Sequence, residues 1–290
     1  MNLITVFISL VLERVIGNID QSRRTDWFDD YVEWVYRHLN FGGILFRPVG
    51  PVVILGPLLL LVQFVAGMVQ GGLFGLLSVA FGVVVLLYCY GPRDLERDVD
   101  DFLEALGRND LEQEREIARH FSDAGGDEGG LERQVLEGIL VEANSRVFAV
   151  IVWFLLLGPL GAVLYRSACL LLAVEDAANR PSALWAMRLL GILDWLPVRL
   201  LALGYAVMGA FDGAFARLRR DALSVEEPLY ERNRLLLREA GTEALQLDRQ
   251  WERARDDPEI PFRAALSLAT RAVLGWLGLL VVVLILVSAI

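Results

Sequence analysis

The sequence predicts an all-α, polytopic integral membrane protein with amphipathic helical regions on the cytoplasmic side. Three observations carry this reading. Apolar residues, 55% of the 290, collect into runs at 51–90, 147–174, 189–211 and 272–290, and the charges collect between the runs. Mean hydropathy is +0.47, a moderate excess over a soluble domain, and the runs reach the roughly 20 residues that a helix needs to cross ~30 Å of hydrocarbon. Between the runs, apolar residues recur at helical spacing.

Composition excludes several function classes. Net charge is −10, so nucleic acid is not an expected partner. Every basic residue is arginine. Without lysine there is no Walker A phosphate loop and no Schiff base. Cys89 and Cys169 lie far apart inside apolar runs and read as small packing residues. His38 and His120 are isolated, so no metal site is expected, and no cofactor.

Residues 1–50 read as N-terminal amphipathic or interfacial helices. The apolar stretch 1–16 ends in Glu13-Arg14 without a basic n-region or cleavage site, unlike a signal peptide, so a helix dipping into or packing beside the membrane is expected. Trp27, Tyr31 and Trp34 repeat at one-sided helical spacing, which suits a helix in the headgroup layer or, equally, one packed on the bundle. Residues 51–90 carry no charge and read as a transmembrane hairpin turning at Gly71-Gly72. Gly67, Gly71 and Gly75, four apart, would permit close helix approach.

Residues 91–145 read as two cytoplasmic amphipathic helices, with Leu95, Val99, Phe102, Leu103 and Leu106 on one face and Leu131, Val135, Leu136, Ile139 and Leu140 on the other. The Gly-rich stretch 123–130 joins them. The acid runs 96–101 and 112–116 are taken as solvated faces. Residues 146–211 are two broken transmembrane segments, interrupted by Gly158-Pro159 and Pro197; 212–267 is a second cytoplasmic helical pair, breaking near Glu227-Pro228; 268–290 is a closing transmembrane helix. Arg23, Arg24, Arg37 and Arg47 before the hairpin, with Arg93 and Arg97 after it, put both polar regions in the cytoplasm. If both broken segments cross, the link 175–188 lies on the periplasmic side.

Ionisable residues inside apolar segments are anchors or functional groups. Arg166, Asp194 and Arg199 qualify, and Asp194 is expected to pair with Arg166 or Arg199 across a helix broken at Pro197. Two readings stand: a buried ion pair holding broken helices together, or an anion- or ligand-binding pocket at membrane depth. No catalytic triad is present in the pattern.

Asn144-Ser145-Arg146, Trp153-Phe154, the run from Gly158-Pro159 to Tyr165-Arg166, and Asp194-Trp195-Leu196-Pro197-Val198-Arg199-Leu200 together resemble the AmpE family of the CobD/CbiB superfamily. Leu10-Val11-Leu12-Glu13-Arg14 and the closing apolar helix fit as well, so the resemblance spans nearly the whole chain. It implies a bacterial inner (cytoplasmic) membrane protein, multi-pass, linked with the amidase AmpD in the control of beta-lactamase induction. The superfamily's enzymes attach aminopropanol phosphate to a cobalamin precursor and carry a Glu-Asn-x-x-Asp element. Here 142–146 reads Glu142-Ala143-Asn144-Ser145-Arg146, an arginine in place of the aspartate. Their Asn-Thr-x-Asp-Ser-Met element would fall at 169–174, which is apolar apart from Cys169. The resemblance thus implies a non-catalytic modulator with Asn144, Arg146, Tyr165, Arg166, Asp194 and Arg199 as ligand-binding or structural anchors. Its partners would be membrane lipid, proteins of the AmpD-linked pathway meeting the cytoplasmic helices, and a second copy in a homo-oligomer. A cobalamin-type synthase and an assembly-forming structural protein are the alternatives.

Overall fold

The computed structural model describes residues 2–16, 26–39, 41–69, 75–90, 95–119, 121, 130–178, 180–221, 228–247, 250–251 and 257–288, and these contain helices and turns but no strand. In order they are α1 (Asn2–Ile16), α2 (Asp26–Leu39), a 3-10 turn (Phe41–Phe46), α3 (Gly50–Val69), α4 (Gly75–Cys89), α5 (Leu95–Arg108), α6 (Leu111–Arg119) and α7 (Gly130–Ala143). A π-turn (Asn144–Phe148) leads into α8 (Ala149–Leu157), followed by α9 (Pro159–Ala177), α10 (Ala183–Met208), α11 (Phe211–Asp221), α12 (Leu229–Leu245) and α13 (Ile260–Ser288). Among them Gly50–Val69, Gly130–Leu157, Ala183–Met208 and Ile260–Val283 are long and apolar enough to cross a membrane, and Gly75–Cys89 is a shorter apolar helix. The protein is an all-α polytopic membrane protein.

The chain divides into two compact units: residues 1–92 with 149–194, and 93–148 with 195–290. In the first, α1 packs on α4, both α3 and α4 pack on α9, and α8 packs on α9. Gly82 makes the α4 contact possible: a Cβ there would lie 2.8 Å from Thr5 Cγ2 and 3.2 Å from Phe154. Gly67, by contrast, is surrounded by open space, so it does not serve the close approach expected of it; Gly71 lies outside the described residues. The amphipathic α2 buries Phe28, Val32 and Val35 and turns Trp27 and Trp34 outward. Tyr31 donates to the Ile54 carbonyl at 2.7 Å, so the aromatic stripe divides between the bundle and the exterior.

In the second unit α7 packs on α12 and α13, α11 on α12, and α5 on α6 and α7. Its core includes Phe102, Leu136, Ile139, Leu140, Tyr205 and Phe262. The Tyr205 hydroxyl donates to the Leu140 carbonyl at 2.7 Å, and Trp276 Nε1 donates to the Leu200 carbonyl at 2.7 Å. Tyr205 is fully buried and Trp276 half-buried, and each satisfies its polar tip.

Four expectations need correction. Helix α10 runs unbroken through Pro197. Proline removes the donor that would reach the carbonyl four residues back, and that carbonyl, Leu193 O, accepts from Trp153 Nε1 at 3.0 Å. The helix beginning at Gly130 does not stop at 145 but continues to Leu157. The first polar region holds three helices, because the chain turns at Asn109, whose φ is +53°. Finally, the link 175–188 is not remote from the residues preceding α3. Glu175 and Ser182 bond to Tyr36, and Trp185 Nε1 donates to the Phe46 carbonyl at 3.1 Å. Gly158-Pro159 starts a new helix that packs back on α8, so the 147–174 run is divided between two helices.

Candidate functional site

Asn144 and Arg146 stand on the π-turn, where the helix widens by one residue and re-aims its side chains. Both are buried. Arg146 Nη1 donates to Asp98 Oδ2 at 2.6 Å, its Nε reaches Glu142 Oε2 at 3.4 Å, and its guanidinium lies 5.6 Å from the centre of the Phe121 ring. Glu142 also accepts from Ser145 Oγ at 2.7 Å and faces Arg234 at 3.7 Å. The result is a charge chain, Asp98–Arg146–Glu142–Arg234, joining α5, the α7–π-turn segment and α12. Asp98, expected on a solvated face, is 2% exposed. Helical periodicity places apolar residues well, but it does not reveal an acid whose cation lies 48 positions away.

Arg199 belongs to a second cluster of the same unit. Its Nη2 donates to Asp221 Oδ2 at 2.7 Å, its Nη1 to Asn233 Oδ1 at 3.2 Å and to the Trp195 carbonyl at 2.9 Å. Arg232 Nε holds the other Asp221 oxygen at 2.7 Å. One carboxylate is thus clamped by two guanidiniums, and the cluster carries one excess positive charge. The guanidinium also lies 4.7 Å from the Trp195 ring centre.

Tyr165, Arg166 and Asp194 belong to the first unit. Tyr165, fully buried, donates to Asp194 Oδ1 at 2.7 Å. A neutral hydroxyl thus holds the carboxylate expected to pair with an arginine. Arg166 is half-buried and, among the described residues, carries no ion pair.

Another cluster of the first unit went unnoticed in sequence. Glu175, 1% exposed, accepts from the hydroxyls of Tyr36 (3.0 Å) and Ser182. Arg180 faces it at 3.6 Å, donates to Glu33 Oε2 at 2.7 Å and stacks 4.1 Å over the Tyr36 ring. Burial, chiefly, pushes the Tyr36 hydroxyl up to about 12; the bond with Ser182 opposes that rise. Glu175 and Arg180 fall just past an apolar run, where a short polar link gives no sign of its tertiary partners.

The polar helices of the second unit enclose an open cleft of about 980 Å³, its walls set with Arg133, Glu137, Arg217, Arg238, Glu239 and Glu243. Arg217 pairs with Glu239 and Glu243, and Glu137 with Arg133 and Arg238. Among the described residues no group of three His, Cys, Asp or Glu could hold a metal.

The apolar helices of spanning length define a multi-pass helical membrane protein, and its polar helices share in the ionic clusters. Within that class the chain belongs to the AmpE family: the family model described as regulatory signalling modulator protein AmpE matches residues 1–289. It is also similar to proteins named cobalamin biosynthesis protein CobD. That of Chromobacterium violaceum is 34% identical over 142 residues, 46% of this chain and 45% of the relative. That of Stutzerimonas stutzeri is 33% identical over 154 residues, 50% of each. The similarity thus covers about half the length of these relatives. No solved structure matches the chain.

Proposed function

We propose that this chain is a non-catalytic regulatory modulator of the bacterial inner membrane, acting in beta-lactamase induction and the response to cell-wall stress. The whole-length family match supports the class. The observation that carries the non-catalytic part is Arg146. An arginine stands where the related enzymes are expected to carry an aspartate, and its guanidinium is engaged by Asp98 and Glu142. A group held in that way serves cohesion and offers no free carboxylate for phosphate or amine chemistry. The Arg199 cluster and the Tyr165–Asp194 pair are anchors of the same kind. The cleft between α7, α11 and α12 is the surface offered to proteins of the AmpD-linked pathway. Deleting the gene and measuring beta-lactamase after exposure to an inducer tests the role: altered induction is expected, and unchanged induction with unchanged beta-lactam tolerance would count against it.

The similarity to proteins named CobD favours one second reading, a synthase of the cobalamin type. It requires that the gene restore growth to a strain lacking that synthase. Under the regulatory reading, no growth is restored.

A further inference from the structure

Three successive contacts set helix α2 across one end of the first unit. Trp27 Nε1 donates to the hydroxyl of Tyr88, at the end of α4. One turn on, Tyr31 reaches the Ile54 carbonyl at 2.7 Å, in the opening turns of α3. Further along, Tyr36 bonds Glu175 and Ser182, where α9 turns into α10. A helix lying alongside one of these neighbours would meet it turn after turn, whereas α2 meets the end of each. Past Ile54, α3 is a helix of spanning length whose outward side chains include Leu60, Leu61, Phe64 and Met68. Helix α2 therefore lies where the hydrocarbon gives way to the headgroups.

Around α2 the residues fall in order of polarity. Phe28, Val32 and Val35 are buried against the bundle. Asp26, Asp29 and Arg37, all exposed, recur at helical spacing on the side turned away from it. Between these two faces runs a seam of Trp27, Trp34 and His38, also at helical spacing. Trp27 and Trp34 are 41% and 52% exposed, and Trp34 stacks on the His38 ring at 4.8 Å. Indole rings on a seam between apolar and charged faces suit the lipid carbonyl layer, which accepts both an apolar body and a polar N–H. The same end of the unit exposes Phe46, beside Tyr36, and Tyr88. The far end of the α3–α4 hairpin exposes Phe64, Met68, Leu76 and Leu77, with no tryptophan or tyrosine among its described residues.

We propose that α2 lies in the plane of the membrane and binds its phospholipid surface, with Trp27 and Trp34 in the lipid carbonyl layer and the charged face in water. Acids outnumber the arginine on that face, so the attraction rests on the rings and requires no anionic lipid. The inference is independent of the regulatory role.

The test uses the full chain in nanodiscs of phosphatidylcholine. Nitroxides are attached in turn at His38→Cys, on the seam, and at Arg37→Cys, on the charged face, in a chain carrying Cys89→Ala and Cys169→Ala. The ratio of accessibility to oxygen over accessibility to a water-soluble nickel chelate should be several-fold higher for the seam label than for the other. Equal ratios overturn the proposal. So does a seam label shielded from both reagents, whether a second copy or another segment covers it. A second arm keeps the native cysteines and needs no label. The emission lost in Trp34→Phe is that of Trp34, and phosphatidylcholine brominated on its upper acyl carbons should quench most of it. Undiminished Trp34 emission in the brominated lipid overturns the proposal.

Discussion

Arg146 and Asp98 show how a single pair governs the second unit. Both charges are buried and 2.6 Å apart, so removing one takes from the other its shortest ionic contact, although Arg146 keeps Glu142 at 3.4 Å. Asp98→Ala should cost about 3–5 kcal/mol, whereas Asp98→Leu/Arg146→Met should recover part of that loss because neither charge then remains. Thermal midpoints in detergent decide it: a double variant weaker than both singles would refute the pairing. Tyr36 offers a titration. Its hydroxyl ionises at about 12 in the folded chain against 10.0 ordinarily, so the folded state holds that proton more tightly. The resulting stability is present below pH 10 and is lost as pH rises toward 12. The phenolate absorbance of the protein minus that of Tyr36→Phe should show this one group ionising near pH 12; ionisation at the ordinary value would mean the hydroxyl is solvated. These partners were not legible in sequence. The pattern marked Arg166, Asp194 and Arg199 as unusual and the resemblance added Arg146 and Tyr165, yet Asp98 and Asp221 looked ordinary, because periodicity describes a helix face and not what lies across from it.

At the scale of elements, the joint between α8 and α9 is set by two glycines. Gly158 has φ +67° and ψ −152°, a conformation that is essentially glycine's alone. Gly161 brings α9 so close that an added Cβ would lie 2.1 Å from the Trp153 carbonyl oxygen. Gly158→Ala should therefore cost about 1–3 kcal/mol, and Gly161→Ala should lower the thermal midpoint by forcing the two helices apart. An unchanged midpoint in both would show that the joint tolerates side chains. The Gly-Pro break was plain in the sequence. The continuity of α10 through Pro197 was not, because the carbonyl that proline orphans is satisfied by Trp153, 40 residues away.

For the molecule as a whole, the all-helical membrane class could be read from the spacing of apolar runs, since the bilayer imposes length and polarity on each segment directly. The course of the chain between spans could not, because Gly158-Pro159 spends one apolar run on two helices. The contacts of Glu175, Ser182 and Trp185 with 36–46 have a topological outcome. Cysteines at Arg37 and Ala178, both exposed, should react with an impermeant maleimide from the same side of sealed vesicles. Labelling from opposite sides would contradict the docking of the link.

Helix α3 buries Gly50, Pro51, Ile54 and Leu55 at its beginning; beyond them Leu60, Leu61, Phe64 and Met68 face outward, and at its end the Val69 carbonyl accepts from Ser78 Oγ at 3.0 Å. One side of its later turns is thus left to the surrounding acyl chains, so its tilt should follow bilayer thickness. During purification, short-chain detergents should leave those turns poorly solvated, and longer maltosides should keep the chain dispersed.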